Sequence, residues 1–348
     1  MESENLKVKS TEKDSLFLLA SLSGRQGRGP GRWAIVLFNL GGPDSLEAVE
    51  PFLVNLFSDR DIFKLPFQNS LARFIARKRA PKVIEEYKRI GGKSPIGHWT
   101  ELQRKILESN LRKKNINVDA FIAMRYWNPL TKEVAEKVEN GNYDKIILLP
   151  LYPHFSISTT GSSFNEWKRF YKGDESKLVY INNYFDNETY CKSINQRIDE
   201  TLLKFPENVR KDVQLVFSAH GTPVSYVKKG DPYSRQIKKT IELVMKQRNN
   251  SYEYHECFQS KVGPVKWLEP STDKMIEELA AKGKKHLLII PISFVSDHVE
   301  TLFELDIEYR HVAEKAGIEN YIVMTGLNDS ICFIEALTEI ILNKMDIT

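Results

Sequence analysis

The chain has 348 residues, 41% hydrophobic and 11% aromatic, which suits one large or two medium packed cores and argues against a disordered protein. Its 50 basic and 46 acidic residues leave a formal charge of +4, too balanced for a dedicated nucleic-acid binder. Cys191, Cys257 and Cys332 form no C-x-x-C pair, so neither a disulfide framework nor a zinc ribbon is indicated, and no run reaches the roughly 20 apolar residues that span a bilayer.

Residues 1–32 combine a polar stretch, a short apolar patch "SLFLLASL" and a Gly/Arg linker. Mixed charge ahead of the patch argues against a secretory signal, which leaves a disordered extension, with an organelle-targeting segment as the alternative. Apolar runs of strand length then alternate with helical patterns. The strands are expected at 32–40, 117–127, 144–152, 177–184, 213–220, 252–259, 285–294 and 319–327. Between them, "TELQRKILESNLRKK", "NPLTKEVAEKVENG" and "STDKMIEELAAKG" carry helical periodicity, the last opened by Ser271 or Thr272 and closed by Gly283. The rhythm predicts an α/β protein of two Rossmann-like domains, each with a four-stranded parallel sheet flanked by helices, at 33–185 and 186–327. A C-terminal helix within 328–348 is expected to return to the first domain.

Ligands of open parallel sheets bind outside the carboxyl ends of the strands, and those ends are rich here: "NLGGPD", "MRYWNP", "PHFSISTTGSS", "SAHGTP", "QSKVGPVKWLEP" and "SFVSDHVETLFELD". His220 closes an apolar strand before Gly221, Thr222 and Pro223, a place from which imidazole can hold a metal or move a proton. Asp297, Glu300, Glu304 and Glu308 are spaced three, four and four apart, one face of a helix that starts at a buried strand's end. A solvated acidic face is the simpler reading of that line, a path for protons or divalent cations the sharper one. "STTGSS" at 158–163 suits either an anion or a helix-capping turn. Neither G-x-G-x-x-G nor a P-loop is present. Residues 51–83 hold more apolar side chains than one amphipathic helix needs and run into "ARKRAPK". They read either as a buried helical hairpin or as a lip whose basic rim meets an anionic membrane.

Taken together, "NLGGPDSLEAVEPFLVNLFSDRDI", "YKRIGGKSPI", "LLPLYPHFSISTTGSS", "FSAHGTP", "GDPY", "QSKVGPVKWLEPST" and "PISFVSDHVETLFELDIEYR" resemble the ferrochelatases over residues 33–342. The resemblance implies insertion of Fe2+ into protoporphyrin IX, the last step of haem synthesis. His220 and Glu300 fall on the catalytic and metal-contacting pair, and Asp297, His298 and Glu304 on a proton or metal relay. Leu40, Arg125, Tyr126, Ser218, Tyr233 and Trp267 fall on porphyrin-binding positions. Residues 51–83 match the lip, with Phe63, Phe67, Phe74, Arg77, Lys78 and Arg79 facing a membrane. The implied partners are porphyrin, ferrous iron as substrate and a peripheral membrane contact, without nucleic acid, in the cytoplasm; a mitochondrion or plastid is the alternative if 1–32 is a targeting segment. Many relatives hold a [2Fe–2S] cluster, one cysteine lying just before the "STTGSS" turn and three in a C-terminal extension. Ile157 stands at the first position and the sequence ends at Thr348 without the others, so no prosthetic group is expected. Leu40 stands where some relatives have methionine. The alternatives are a coproporphyrin chelatase, a chelatase of another tetrapyrrole, and a non-catalytic haem or metal carrier.

Overall fold

Each of the eight apolar runs becomes a parallel strand. The structure, a computed structural model, describes residues 31–260 and 265–345; apart from its last two residues, the expected N-terminal extension lies outside that range. Strands β1 (Trp33–Asn39), β2 (Val118–Met124), β3 (Lys145–Pro150) and β4 (Leu178–Tyr180) form one sheet in the order β2-β1-β3-β4. Strands β5 (Gln214–His220), β6 (Tyr254–Gln259), β7 (His286–Pro291) and β8 (Asn320–Val323) form the second in the equivalent order β6-β5-β7-β8. β1 and β7 are buried along their whole length, because helices cover both faces of such sheets and leave no wet side for polar alternation.

Among the described residues the α-helices are α1 (Val49–Phe57), α2 (Gln68–Arg89), α3 (Ile96–Lys113), α4 (Thr131–Glu139), α5 (Ser162–Phe170), α6 (Glu188–Leu202), α7 (Val224–Lys228), α8 (Tyr233–Gln247), α9 (Thr272–Ala281), α10 (Tyr309–Ala316) and α11 (Ile331–Lys344). A π-helix, Glu300–Glu308, leads into α10. One apolar cluster takes Ile35, Leu37 and Leu149 from the first sheet and Leu215, Phe217 and Ile290 from the second, joined by Tyr190, Ile194, Phe333 and Leu337. The C-terminal helix α11 packs on both α3 and α6 and thereby bridges the halves.

The 51–83 segment forms the hairpin of α1 and α2. Val49, Leu53 and Phe57 meet an alanine stripe, Ala72, Ala76 and Ala80, at four-residue spacing, in a cluster separate from the sheet cores. Val299, just ahead of the π-helix, packs against this cluster, and the Arg89 guanidinium lies 5.3 Å from the ring centre of Phe303 within the π-helix. The hairpin therefore lies against the acidic segment.

Candidate active site

β5 delivers His220 to the sheet's carboxyl end. The next position must be glycine, since a Cβ on Gly221 would lie 2.5 Å from the Gln259 carbonyl oxygen. The His220 main chain is held from both sides: its N–H donates to Ser293 Oγ at 2.9 Å and its carbonyl accepts from the Tyr233 hydroxyl at 3.1 Å. Its ring faces Glu300, with Nδ1 2.9 Å from Oε2. The imidazole is 39% exposed, and Nε2 has no partner among the described residues. Burial alone would lower the imidazole pKa, but the Glu300 carboxylate and its hydrogen bond outweigh it and raise it above 6.5. In Glu300 the cost of burial is overcome by His220, with help from His298 and Ser260, which hold the carboxyl down to about 2.

The two oxygens of Glu300 have unlike surroundings. Oε2 accepts from His220, from Ser260 Oγ at 3.2 Å and from Gln259 Nε2 at 3.3 Å. Oε1 lies 4.0 Å from His298 Nε2. Nδ1 of His298 faces the Ser296 carbonyl at 3.1 Å and carries the proton there, so Nε2 is a buried acceptor without a donor. Burial lowers the His298 pKa and keeps it neutral. Two acceptors thus face each other across a gap that a cation or a water molecule would satisfy.

One turn on, Glu304 accepts from the Ser260 N–H at 2.8 Å and the Tyr309 hydroxyl at 3.0 Å. Ser260 Oγ is 2.5 Å from Glu304 Oε2 while also within reach of Glu300. A hydroxyl has one proton, so the pair is fully satisfied when a carboxyl carries a second. Burial and the Glu300 charge raise the Glu304 pKa to about 7, which supplies that proton near neutrality. Ser260 reaches both acids because it adopts a left-handed φ of 62° at the end of β6.

The other expected residues divide. Leu40 is half-buried at the end of β1 and Trp267 is half-buried, paired by a backbone bridge to Pro223. Tyr233 is buried and supports His220 from behind. Ser218 lies two residues deeper in β5, fully buried and bonded to Gln259 and Thr272, so it is no contact for a ligand. Arg125 and Tyr126 are likewise occupied: the guanidinium sits 3.0 Å from Asp59 and bonds Ser162, and the buried Tyr126 hydroxyl donates to Asp59 at 2.7 Å. Both are thereby tied to the base of the hairpin. Asp297 does not share the face of Glu300 and Glu304, because helix begins only at Val299. Its carboxylate accepts from Thr301 Oγ1, the Gly326 N–H and Asn328 Nδ2. Glu308 is exposed. An anion from the chain itself sits just before the "STTGSS" turn: Asp231 Oδ2 accepts from Ser156 Oγ and the Ile157 N–H, each at 2.9 Å. On the hairpin, Phe67 and Phe74 are 90% and 59% exposed beside exposed Arg77, Lys78 and Arg79, whereas Phe63 packs on Phe57 inside it.

A family model described as Ferrochelatase matches residues 32–345. A protein named Ferrochelatase from Geotalea daltonii is 47% identical over 313 residues, 88% of this chain and 96% of the relative. The chain belongs to the ferrochelatase family. A ferrochelatase from Synechocystis is 42% identical over 324 residues, covering 91% of this chain and 83% of the relative. Among solved structures, SirB from Bacillus subtilis with Fe3+ superposes with a TM-score of 0.51 at 13% identity, over 90% of this chain and 95% of that one, a likeness of fold. Within this ferrochelatase fold, Ser260 and Tyr309 are the polar members of the acid chain that sequence reasoning missed. A serine after an apolar strand carries no signal of its own; a pattern of hydroxyls opposite two buried acids is visible only in three dimensions.

Proposed function

We propose that this chain inserts Fe2+ into protoporphyrin IX to form haem, at the His220–Glu300 pair. The observation that carries the reading is that pair's 2.9 Å contact beside a second carboxyl whose pKa is raised to about 7. Metallation replaces two pyrrole N–H protons by one Fe2+ and releases two H+. His220 Nε2 accepts a pyrrole proton, and the Glu300 carboxylate stabilises the imidazolium that results. The proton leaves through Glu300 Oε2, Ser260 and Glu304, with the Tyr309 hydroxyl at the far end. Glu304 suits the passage because it is part-protonated near pH 7 and can both take and give. The opposite side, Glu300 Oε1 with His298 Nε2, offers one hard carboxylate oxygen and one borderline imidazole nitrogen to the incoming iron, too few donors to retain it.

The hairpin of α1 and α2 covers the macrocycle and touches an anionic membrane on its cytoplasmic side. Phe67 and Phe74 enter the interface while Arg77, Lys78 and Arg79 meet headgroups. No helix among the described residues is long and apolar enough to cross a membrane. The reading without a [2Fe–2S] cluster is supported by an isoleucine at position 157, whose N–H bonds Asp231, and by three cysteines buried apart, with Cys191 and Cys257 pushed up to about 12 by burial.

The test mixes purified protein with protoporphyrin IX and ferrous or zinc ion and follows metallation by absorbance. His220→Ala and Glu300→Gln should each lose on the order of 100-fold or more in turnover. A wild-type protein without turnover, or variants that match it, would refute the proposal.

A further inference from the structure

Among the described residues, hydrogen bonds join the halves of the molecule in several places. One is the Asp231 carboxylate on the Ser156–Ile157 turn. Another starts at Gln103 on α3, which is fully buried. Its Nε2 donates across the boundary to Ser296 Oγ at 3.1 Å and to the Asn328 carbonyl at 2.9 Å. We propose that Gln103 is a positioning residue for the reaction: reaching from the first half, it sets where the π-helix begins and so where Glu300 and His298 stand relative to His220.

The bonds run without a break from Gln103 to the reacting groups. Asn328, at a left-handed φ of 38°, accepts the Asp297 N–H through Oδ1 and donates to Asp297 Oδ2 through Nδ2. Asp297 Oδ1 accepts from Thr301 Oγ1 in the first turn of the π-helix, and Thr301 Oγ1 in turn accepts the His298 N–H at 3.0 Å. The Ser296 carbonyl fixes the ring of His298 through Nδ1. The path leaves no slack at its turn: a Cβ on Gly326 would lie 2.9 Å from the Asp297 nitrogen. At the other end α3 is tied to the first sheet, because Asn39 Nδ2 at the end of β1 donates to Thr100 Oγ1 at 3.0 Å, one turn before Gln103. Asp297 therefore acts in this arrangement as a strut, not as a carrier of protons. An amide that only filled space would not need one donor bond to end on the segment that carries the acid and the other on the residue that clamps Asp297 to it.

The inference rests on the chelatase reading for its kinetic arm and is independent of it for its structural arm. Gln103→Met keeps length and volume and removes both donors. Loss of two such bonds should lower kcat about 10-fold, with both KM values within about twofold, and should speed amide hydrogen exchange at His298, Glu300 and Thr301 about 10-fold. Ser296→Ala removes one acceptor and should cost about threefold in kcat. The double variant should be no slower than Gln103→Met, since both changes break one path. Unchanged kcat and exchange, or losses that multiply in the double variant, would overturn the proposal. If Gln103→Met does not fold, Ser296→Ala carries the test, with unaltered kcat and exchange as the contrary result. If the wild type does not metallate at all, the function falls while exchange still decides the strut.

Discussion

Replacing Glu304 with glutamine should stabilise the protein in alkaline solution while slowing it. In the folded state the Glu304 carboxyl titrates at about 7 instead of the ordinary 4.5, held up by burial and by Glu300. A carboxyl with a raised folded pKa binds its proton more tightly in the native state. Its favourable share is therefore present below 4.5 and is lost as pH rises through 7. At about 1.4 kcal/mol per pH unit the full difference is a ceiling of about 3 kcal/mol, part of which solvent at the cleft screens. Glutamine mimics the protonated acid: its amide N–H2 can donate to Ser260 Oγ, and its carbonyl keeps the bonds from the Ser260 N–H and Tyr309. Glu304→Gln should therefore gain about 1–3 kcal/mol at pH 8.5 and nothing at pH 4.5, read as urea midpoints with unchanged slopes. Turnover should fall, because an amide cannot pass the proton on. A variant with equal stability change at both pH values, or one less stable at pH 8.5, would refute the proton-sharing account of Ser260, Glu300 and Glu304.

Glu300→Gln should also move the acid limb of residual kcat/KM: as a base His220 gains activity as pH rises through its pKa, above 6.5 in the wild type, and below it once burial acts without the carboxylate. A limb that stays in place would remove Glu300 as its cause. Asp59→Asn should destabilise the protein by about 1–3 kcal/mol, because it removes one of the two carboxylates that face the buried Arg125 guanidinium, leaving Glu166 at 3.2 Å, and weakens the acceptor of the Tyr126 and Ser162 hydroxyls; limited trypsin digestion should then cut first at the basic residues of α2. Replacing Arg77, Lys78 and Arg79 together with serine should weaken sedimentation with anionic liposomes by about 1 kcal/mol per charge. Equal binding of that variant would exclude the electrostatic part of the membrane contact.

The strands were legible because sheets covered on both faces turn into unbroken apolar runs, of which "WAIVLFN" and "HLLIIP" are the clearest. His220 was legible from the same logic, as a polar residue at the end of such a run. What stayed hidden depends on distance along the chain. Asp231, 74 residues from Ile157, is the carboxylate bound just ahead of the "STTGSS" turn. That Arg125 and Tyr126 rest on Asp59, 66 and 67 residues before them, is equally invisible along the chain. Asp297 fits an α-helical face on paper, but helix starts two residues later and continues as a π-helix, so periodicity assigned it to the wrong surface. Ser218 shares the strand parity of His220, and parity says nothing of depth.

The equal strand order of the two sheets has a consequence for how the cleft is divided. The Leu151 N–H bonds the Phe38 carbonyl as the Ile292 N–H bonds that of Ser218, and Phe38 pairs with Pro150 as Ser218 pairs with Pro291. Likewise the Met124 N–H bonds the Pro129 carbonyl as the Phe258 N–H bonds that of Pro270. Overlaying the halves by these pairs sets Leu40 on His220, Arg125 on Gln259 and Tyr126 on Ser260. Twin frameworks thus present unlike walls. In one, the strand ends carry the half-exposed His220 and the Ser260 hydroxyl that reaches Glu300 and Glu304; in the other, the same places are aliphatic or tied to Asp59. On the proposed reading, a flat substrate held between them would meet the His220–Glu300 pair from one side alone, so its protons would leave through a single face.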